Sequence, residues 1–114
     1  MRKLSFILSG LLFISANYVF AEDHPKVAIE HAKEAANASK TADVVHHAGA
    51  ALEHTLTASI AEKGVAKNHL NAGAEELEQA IDHGNLGHLD VAVSHSKTAV
   101  EHLSAAVEAK KNKK

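Results

Sequence analysis

Cysteine and tryptophan are absent from the 114-residue sequence, and proline and methionine each occur once, as Pro25 and Met1. Without cysteine the chain has no disulfide bond, although small secreted domains often depend on disulfides or a metal for stability. The aromatic residues other than histidine all lie in the segment that ends at Phe20, and they are Phe6, Phe13, Tyr18 and Phe20. The rest of the chain must therefore build its hydrophobic core from alanine, valine, leucine and isoleucine.

The segment from Met1 to Ala21 has the pattern of a secretory signal peptide. Arg2 and Lys3 provide a positive start, residues 4–16 are mostly apolar, and Val19-Phe20-Ala21 resembles a signal-peptidase site. We expect cleavage after Ala21 and export to the periplasm. The alternative is an uncleaved membrane anchor, for which the apolar run is barely long enough. No cysteine follows the run, which argues against a lipoprotein.

The charge balance disfavours nucleic acid as a partner. The sequence has 14 acidic residues and 12 lysines and arginines, for a net charge of −2. Cleavage after Ala21 would remove Arg2 and Lys3, leaving ten lysines against 14 acids, or −4. Four of those lysines are in the C-terminal segment "KKNKK", so the remainder carries −8. A chain this acidic repels phosphate backbones and attracts cations.

Abundant alanine and a single proline favour helix throughout the exported part. Four helices are predicted, at about residues 25–39, 41–63, 66–83 and 88–110. Thr41 is the predicted N-cap of the second helix, and Gly64 and Gly84 are predicted to end the second and third. Short connections make successive helices antiparallel. We therefore predict an all-α fold, an up-down-up-down four-helix bundle over residues 22–110, followed by a basic tail at residues 111–114.

Apolar residues recur at spacings of three and four, as in packed helices. The predicted core positions are Ile29, Ala32, Ala36, Val45, Ala48, Leu52, Leu56, Leu70, Ala74, Leu77, Ile81, Leu89, Val93, Val100, Leu103 and Val107. The sequence also repeats itself, because "HPKVAIEHAKEA" at 24–35 matches "HLDVAVSHSKTA" at 88–99. The first and fourth helices therefore look like copies that have kept their histidines.

Histidine gives the strongest functional signal. With Ile29, Val45, Ala74 and Val93 at the first position of a heptad, nine of the ten histidines fall at the third position, and only His46 does not. Four pairs are seven residues apart, at 24/31, 47/54, 88/95 and 95/102. Imidazole is the commonest protein ligand of metal ions. The candidate metal ligands are His24, His31, His46, His47, His54, His69, His83, His88, His95 and His102.

Helix geometry limits how these histidines could share an ion. Seven residues advance a helix by about 10.5 Å, whereas a ligand atom lies only about 2 Å from its metal. The sequence also lacks any His-x-x-x-His pair. Each histidine must find partners across a helix seam or among carboxylates, so we predict several separate sites rather than one buried centre. The candidate supporting acids are Glu30, Glu34, Asp43, Glu53, Glu76, Asp82 and Glu101.

Mixed imidazole and carboxylate sites suit Cu(II), Ni(II) and Zn(II). The absence of cysteine and methionine after Ala21 disfavours Cu(I), which prefers sulfur. His83 and His88 flank the turn "HGNLGH" and should converge from adjacent helices, with His46 and His47 at the same end of the bundle. The histidines predicted at the opposite end are His24, His69 and His102.

The segments "VAIEHAKEA" and "IDHGNLGHLDVAVSHSKTAVEHL", with the heptad histidines, resemble the small metal-binding protein family of bacterial periplasms. The resemblance implies a secreted four-helix bundle that binds several divalent metal ions, copper prominently, for storage or detoxification. The residues that match best by position are His31, His54, His83, His88, His95 and His102. Ala38, Ala61 and Glu76 interrupt the heptad, which leaves the number of ions open.

We therefore expect a non-enzymatic periplasmic metal buffer. We expect it to be a monomer without stable membrane association after cleavage; a dimer whose interface completes the sites is the alternative. The competing hypothesis is a helical interaction module of the cell envelope whose histidines act as a pH switch. An enzyme or electron carrier is disfavoured, because the sequence has no haem-attachment or nucleophile motif and no methionine after Ala21 to act as an axial ligand.

Overall fold

The computed structural model describes residues 23–112, which form four α-helices joined by connections of two to four residues. Their bounds are α1 His24–Ala36, α2 Thr41–Ala61, α3 Gly64–Asn85 and α4 Leu89–Lys111. Each helix packs against the next, and α4 returns to pack against α1, whereas α2 and α4 make little contact. The predicted four-helix bundle is confirmed. The predicted signal peptide and the last two residues of the predicted tail lie outside the described residues.

Side chains of Asp and Asn set the two ends of α1. Asp23 is the N-cap, and its carboxylate accepts a hydrogen bond from the Lys26 backbone N–H at 3.3 Å. At the other end, the Asn37 amide donates to the Lys33 carbonyl at 2.9 Å. Such side-chain bonds compete with continued helix. α1 accordingly ends at Ala36, three residues earlier than predicted.

The boundaries of α2 and α3 differ from prediction at several points. Thr41 is the first helical residue rather than the N-cap, which is Lys40 in an extended conformation without a side-chain capping bond. Gly64 has a φ of 62°, a left-handed value suited to the turn between α2 and α3. Gly84 does not end α3, since the helix continues to Asn85. The left-handed residue of the following turn is Gly87, with a φ of 82°.

Gly84 has a packing role instead. It is buried, and a Cβ added to it would lie 2.6 Å from Cγ2 of Val45. The missing side chain therefore allows α3 to approach α2 closely.

Alanine dominates the buried positions of the bundle. In α4 the buried residues are Ala92, Ser96, Ala99, Leu103 and Ala106, at alternating spacings of four and three. The largest fully buried side chains of the described residues are Leu70, Leu77, Leu103, Val44, Thr55 and Ser96. Because alanine side chains are small, the backbones of adjacent helices can approach each other closely.

Many larger apolar residues flank this core rather than forming its centre. Predicted core positions that are buried are Ala32, Ala48, Leu70, Ala74, Leu77 and Leu103. Half-buried ones are Ile29, Ala36, Val45, Leu52, Ile81, Leu89, Val93, Val100 and Val107. Leu56 is 47% exposed, so its assignment to the core is wrong. The sequence pattern located the apolar stripe of each helix correctly. The larger apolar residues were predicted at the centre of the stripe, but alanine occupies much of that centre because it permits closer helix contact than valine or isoleucine.

An ion pair joins the C-terminal part of α4 to the turn between α2 and α3. Lys110 Nζ lies 2.8 Å from Glu62 Oε2. The hydrogen bond from Lys110 to Glu62 and the attraction of the two charges raise the pKa of Lys110 above its ordinary value of 10.5. None of the four described helices has the length and hydrophobicity needed to cross a membrane.

Candidate metal centre

The histidines and the large apolar residues occupy opposite edges of each buried stripe. His31 directly precedes the buried Ala32, and His95 directly precedes the buried Ser96. Ile29, by contrast, directly follows a buried residue. One edge of each helix therefore carries imidazole and the other carries aliphatic side chains. Eight histidines are half-buried, and the two exposed ones are His46 and His88.

Five histidines form a column along the seam between α1 and α2. Nδ1 of His24 lies 2.8 Å from Nδ1 of His54. The rings of His54 and His31 are stacked with centroids 6.2 Å apart, and Nδ1 of His31 lies 3.4 Å from Nδ1 of His47. His46 contacts the His47 ring edge-on, at a centroid distance of 5.0 Å. The antiparallel packing of α1 and α2 brings these rings together.

Glu34 converts one step of this column into a three-ligand cluster. Its Oε1 lies 3.1 Å from Nδ1 of His31 and 3.0 Å from Nδ1 of His47. With the 3.4 Å separation of the two nitrogens, these atoms form a nearly equilateral triangle whose centre is about 1.8 Å from each, slightly less than the usual metal–ligand distance of about 2.0–2.2 Å. His31, Glu34 and His47 together could therefore hold one ion.

A second column lies along the seam between α3 and α4. Nδ1 of His83 lies 3.2 Å from Nδ1 of His88, and the rings of His83 and His95 are stacked with centroids 5.5 Å apart. Nδ1 of His95 lies 2.7 Å from Oε1 of Glu76. At this seam the carboxylate of Glu76 faces His95, whereas at the first seam the imidazole of His47 faces His31.

A further pair lies nearer the other end of the same seam. Nδ1 of His69 and Nδ1 of His102 are 3.5 Å apart. The helices approach closely here, because a Cβ added to Gly73 would lie 2.9 Å from Cδ2 of Leu103 and 3.6 Å from Cβ of His102. The pair is half-buried and offers two imidazole nitrogens to one position.

Comparison of the sequence with known protein families gives a result consistent with these clusters of imidazole and carboxylate. A family model described as small metal-binding protein matches residues 1–106. The chain belongs to the small metal-binding protein family. No curated protein matches it. Membership of this family makes metal binding the general property of the chain, and the family is one of binding proteins rather than of enzymes.

In this family member, the predicted placement of the histidines agrees with the geometry. His83 and His88 converge across the turn, and every histidine lies within a cross-helix pair or beside one. Histidines seven residues apart have separate partners, since His95 contacts Glu76 and His102 contacts His69. Sequence reasoning did not identify these particular partners, because a helical period describes one helix and leaves its offset against the next helix open.

The candidate acids divide into two groups. Glu34 and Glu76 contact histidine nitrogens at 2.7–3.1 Å. The other five candidates are exposed, and they are Glu30, Asp43, Glu53, Asp82 and Glu101. Four of these five directly precede a histidine in the sequence. Neighbouring residues on a helix are rotated by about 100° and do not face each other, which explains why adjacency in sequence was a poor guide to contact.

The clusters offer nitrogen and oxygen ligands at the surface of a rigid bundle. Two imidazole nitrogens and one carboxylate oxygen leave further coordination positions open to water, a donor set accepted by Cu(II), Ni(II) and Zn(II). Among the described residues, His31, Glu34 and His47 are the group of three whose ligand atoms lie close enough to hold one ion. The remaining clusters supply two side-chain ligands each.

Proposed function

We propose that this small metal-binding protein is a periplasmic buffer that stores or sequesters several divalent transition-metal ions. Cu(II) is the favoured ion, and Ni(II) and Zn(II) are the alternatives. The observation that carries the proposal is the triangle of ligand atoms formed by His31, Glu34 and His47, with sides of 3.0–3.4 Å. Each atom is held on a helix, so little conformational freedom would be lost on binding.

Binding of several ions is supported by the separation of the clusters along the two seams. Histidines seven residues apart on one helix are about 10.5 Å apart along its axis, too far for one ion to bridge. The pairs His24–His54 and His69–His102 therefore offer positions separate from the three-ligand cluster. The acidic charge of the chain lowers the electrostatic cost of holding several cations on one small domain.

The preference for Cu(II) follows from the ligands. Among divalent ions of the first transition row, Cu(II) binds a given nitrogen and oxygen site most tightly. After Ala21 the sequence offers neither thiolate nor thioether, the sulfur ligands that would favour Cu(I). The three-ligand cluster also leaves further coordination positions for water.

Storage rather than catalysis is supported by where the ligands lie. The side chains of His31 and His47 are 31% and 28% exposed, and Glu34 is 55% exposed. Open sites exchange ions readily with solvent, whereas catalysis benefits from one preorganised and enclosed centre. The signal-peptide pattern supports the periplasmic location, an oxidising compartment.

Calorimetric titration of the chain from Glu22 to Lys114 with Cu(II), Ni(II), Zn(II) and Mg(II) tests the proposal. We expect more than one Cu(II) ion per chain at neutral pH, weaker binding of Ni(II) and Zn(II), and no measurable binding of Mg(II). Native mass spectrometry of the same samples would count the bound ions directly.

Two variants separate ligand chemistry from overall charge. Replacing the nine heptad histidines with glutamine should abolish most Cu(II) uptake. In the control, Glu53, Asp82 and Glu101 are replaced by their amides, which removes three charges but no cluster contact. That control should retain the stoichiometry of the parent chain. Uptake of less than one Cu(II) per chain, or unaltered uptake by the histidine variant, would contradict the proposal.

A further inference from the structure

The two helical hairpins of the bundle are related to each other in sequence. The first hairpin consists of α1 and α2, and the second consists of α3 and α4. α1 matches α4, as the repeat at 24–35 and 88–99 shows, with His24 corresponding to His88. α2 matches α3, since "AALEH" at 50–54 aligns with "QAIDH" at 79–83. Equivalent residues can therefore be paired between the hairpins.

The ring contacts show the same equivalence. His24 meets His54 with an Nδ1–Nδ1 distance of 2.8 Å, and their counterparts His88 and His83 meet at 3.2 Å. In the first hairpin, His54 also stacks on His31 at an interplanar angle of 8°. The counterpart rings of the second hairpin stack at 11°. Both hairpins therefore contain the same arrangement of three imidazoles.

The hairpins differ at the next step of each column. The position of His47 is taken by Glu76, and the position of Glu34 is taken by Thr98. Thr98 is half-buried, and its hydroxyl donates to the Ser94 carbonyl of its own helix at 3.2 Å. Threonine is also too short to extend to the seam as Glu34 does. The second hairpin therefore has the His95–Glu76 contact but lacks the third ligand.

We infer that the two hairpins are unequal copies of one metal-binding unit. The first hairpin binds a divalent transition-metal ion through His31, Glu34 and His47 and is loaded first. The second binds the same class of ion through His95 and Glu76, with two side-chain ligands, and is loaded at higher concentration. This inference rests on the proposed function and adds an order of filling to it.

Unequal sites would widen the concentration range over which the protein buffers. A third ligand on a rigid scaffold adds binding energy without a further loss of translational freedom, so the first site should be tighter. Even loss of an outer partner of a metal site typically lowers affinity by about 10- to 100-fold. We therefore expect the two sites to differ in affinity by at least about tenfold.

Exchange of the distinguishing residues between the hairpins tests this inference. Glu34→Thr gives the first hairpin the residue of the second, and should weaken the tightest site at least about tenfold without abolishing all binding. The double variant E76H/T98E gives the second hairpin the ligand set of the first, and should create a second tight site. Position 34 is exposed and position 98 is half-buried at the edge of the bundle, so the fold should tolerate both changes, as circular dichroism would show.

Competition against a chromophoric chelator with Zn(II) would measure the number of tight sites. The matched control is E76H/T98Q, which has a side chain of equal length at position 98 but no carboxylate, and should gain less affinity than E76H/T98E. Histidine ring signals in NMR spectra should shift for His31 and His47 before they shift for His95 as Zn(II) is added to the parent chain.

The outcomes separate this inference from the proposed function. If the parent chain binds no transition-metal ion, both fail. If it binds several ions but Glu34→Thr leaves the tightest affinity unchanged, or His95 shifts together with His31, the inference of unequal hairpins is overturned while metal buffering stands.

Discussion

Two helical glycines, Gly84 and Gly49, differ in the space around them. Gly84 faces Val45, and an added Cβ would lie 2.6 Å from Cγ2 of that residue. Gly49 also lies within a helix, but an added Cβ there would meet nothing within 4 Å. The same substitution at these two positions therefore separates packing from helix propensity.

We expect Gly49→Ala to raise the free energy of unfolding by about 0.5–1 kcal/mol, because alanine restricts the unfolded chain and favours helix. Gly84→Ala gains the same propensity, but forces Val45 or the helix backbone to move, at a cost of about 1–3 kcal/mol. Urea denaturation should show Gly84→Ala less stable than the parent chain. Equal stabilisation by both substitutions would contradict the close contact between α3 and α2.

Glu34 and Glu76 each contact a histidine on a neighbouring helix. Glu34 is three residues after His31 on α1, yet its oxygen also lies 3.0 Å from Nδ1 of His47 on α2. Glu76 contacts His95 across the other seam. The acids that are adjacent to histidine in sequence are exposed instead.

The division of each helix into an imidazole edge and an aliphatic edge determines how the elements associate. The imidazole edges meet within each hairpin, between α1 and α2 and between α3 and α4. On α2 the aliphatic edge includes Val45, which lies against Gly84 of α3. Metal ions would therefore cross-link helices within a hairpin, while aliphatic contacts hold α2 against α3.

The end of α4 offers a prediction about an ion pair between elements. Glu62 is only 11% exposed and pairs with Lys110, whereas Glu108 pairs with Lys111 at 3.6 Å with both side chains exposed. Glu62→Gln should lower the free energy of unfolding by up to about 1 kcal/mol at pH 8, as for a partly exposed pair, and Glu108→Gln should have almost no effect.

The pH dependence of this effect has a defined sign. Because the ion pair raises the pKa of Lys110 above 10.5, its contribution is complete below the pKa of the unfolded chain and disappears as pH rises through the folded value. The difference between Glu62→Gln and the parent chain, measured by urea denaturation, should therefore shrink above pH 10.5. A constant difference across that range would show that Glu62 acts through packing rather than charge.

At the scale of the whole molecule, metal binding and folding should be coupled. Each cluster joins two helices, so its ligand geometry exists only in the folded bundle. A ligand present at 100 times its dissociation constant stabilises the folded state by about 2.7 kcal/mol, provided that it does not bind the unfolded chain. The core consists mainly of alanine, so its buried side chains are small. Stabilisation of this size by a bound ion would therefore be an important part of the free energy of unfolding.

Zn(II) should raise the thermal unfolding temperature of the chain at pH 7.5, and a chelator should reverse the increase. Protonated imidazole cannot bind metal, so acid removes the ligand. The increase should therefore be lost as pH is lowered to 5. Circular dichroism melts with and without Zn(II), with Mg(II) as the control ion, would measure this. An increase of equal size with Mg(II), or one that persists at pH 5, would exclude imidazole as the ligand.

The sequence by itself determined the helical class, the number of helices and the kinds of ligand available. Alanine content and the spacing of apolar residues make four helices unavoidable, and short connections make them antiparallel. Repetition of histidine at seven residues places imidazoles on one edge of a helix. These properties are local, because they depend on the backbone geometry of one helix and on residues a few positions apart.

Only the tertiary structure decided which residues form the core centre and which ligands meet. Ile29 and Val93 were predicted in the core, but the fully buried residues beside them are Ala28 and Ala92. The energy gained from close backbone approach depends on both helices of a pair. The meeting of Glu34 with His47 depends on the offset of α1 against α2. That offset is set by packing across the seam, and no period within either helix encodes it.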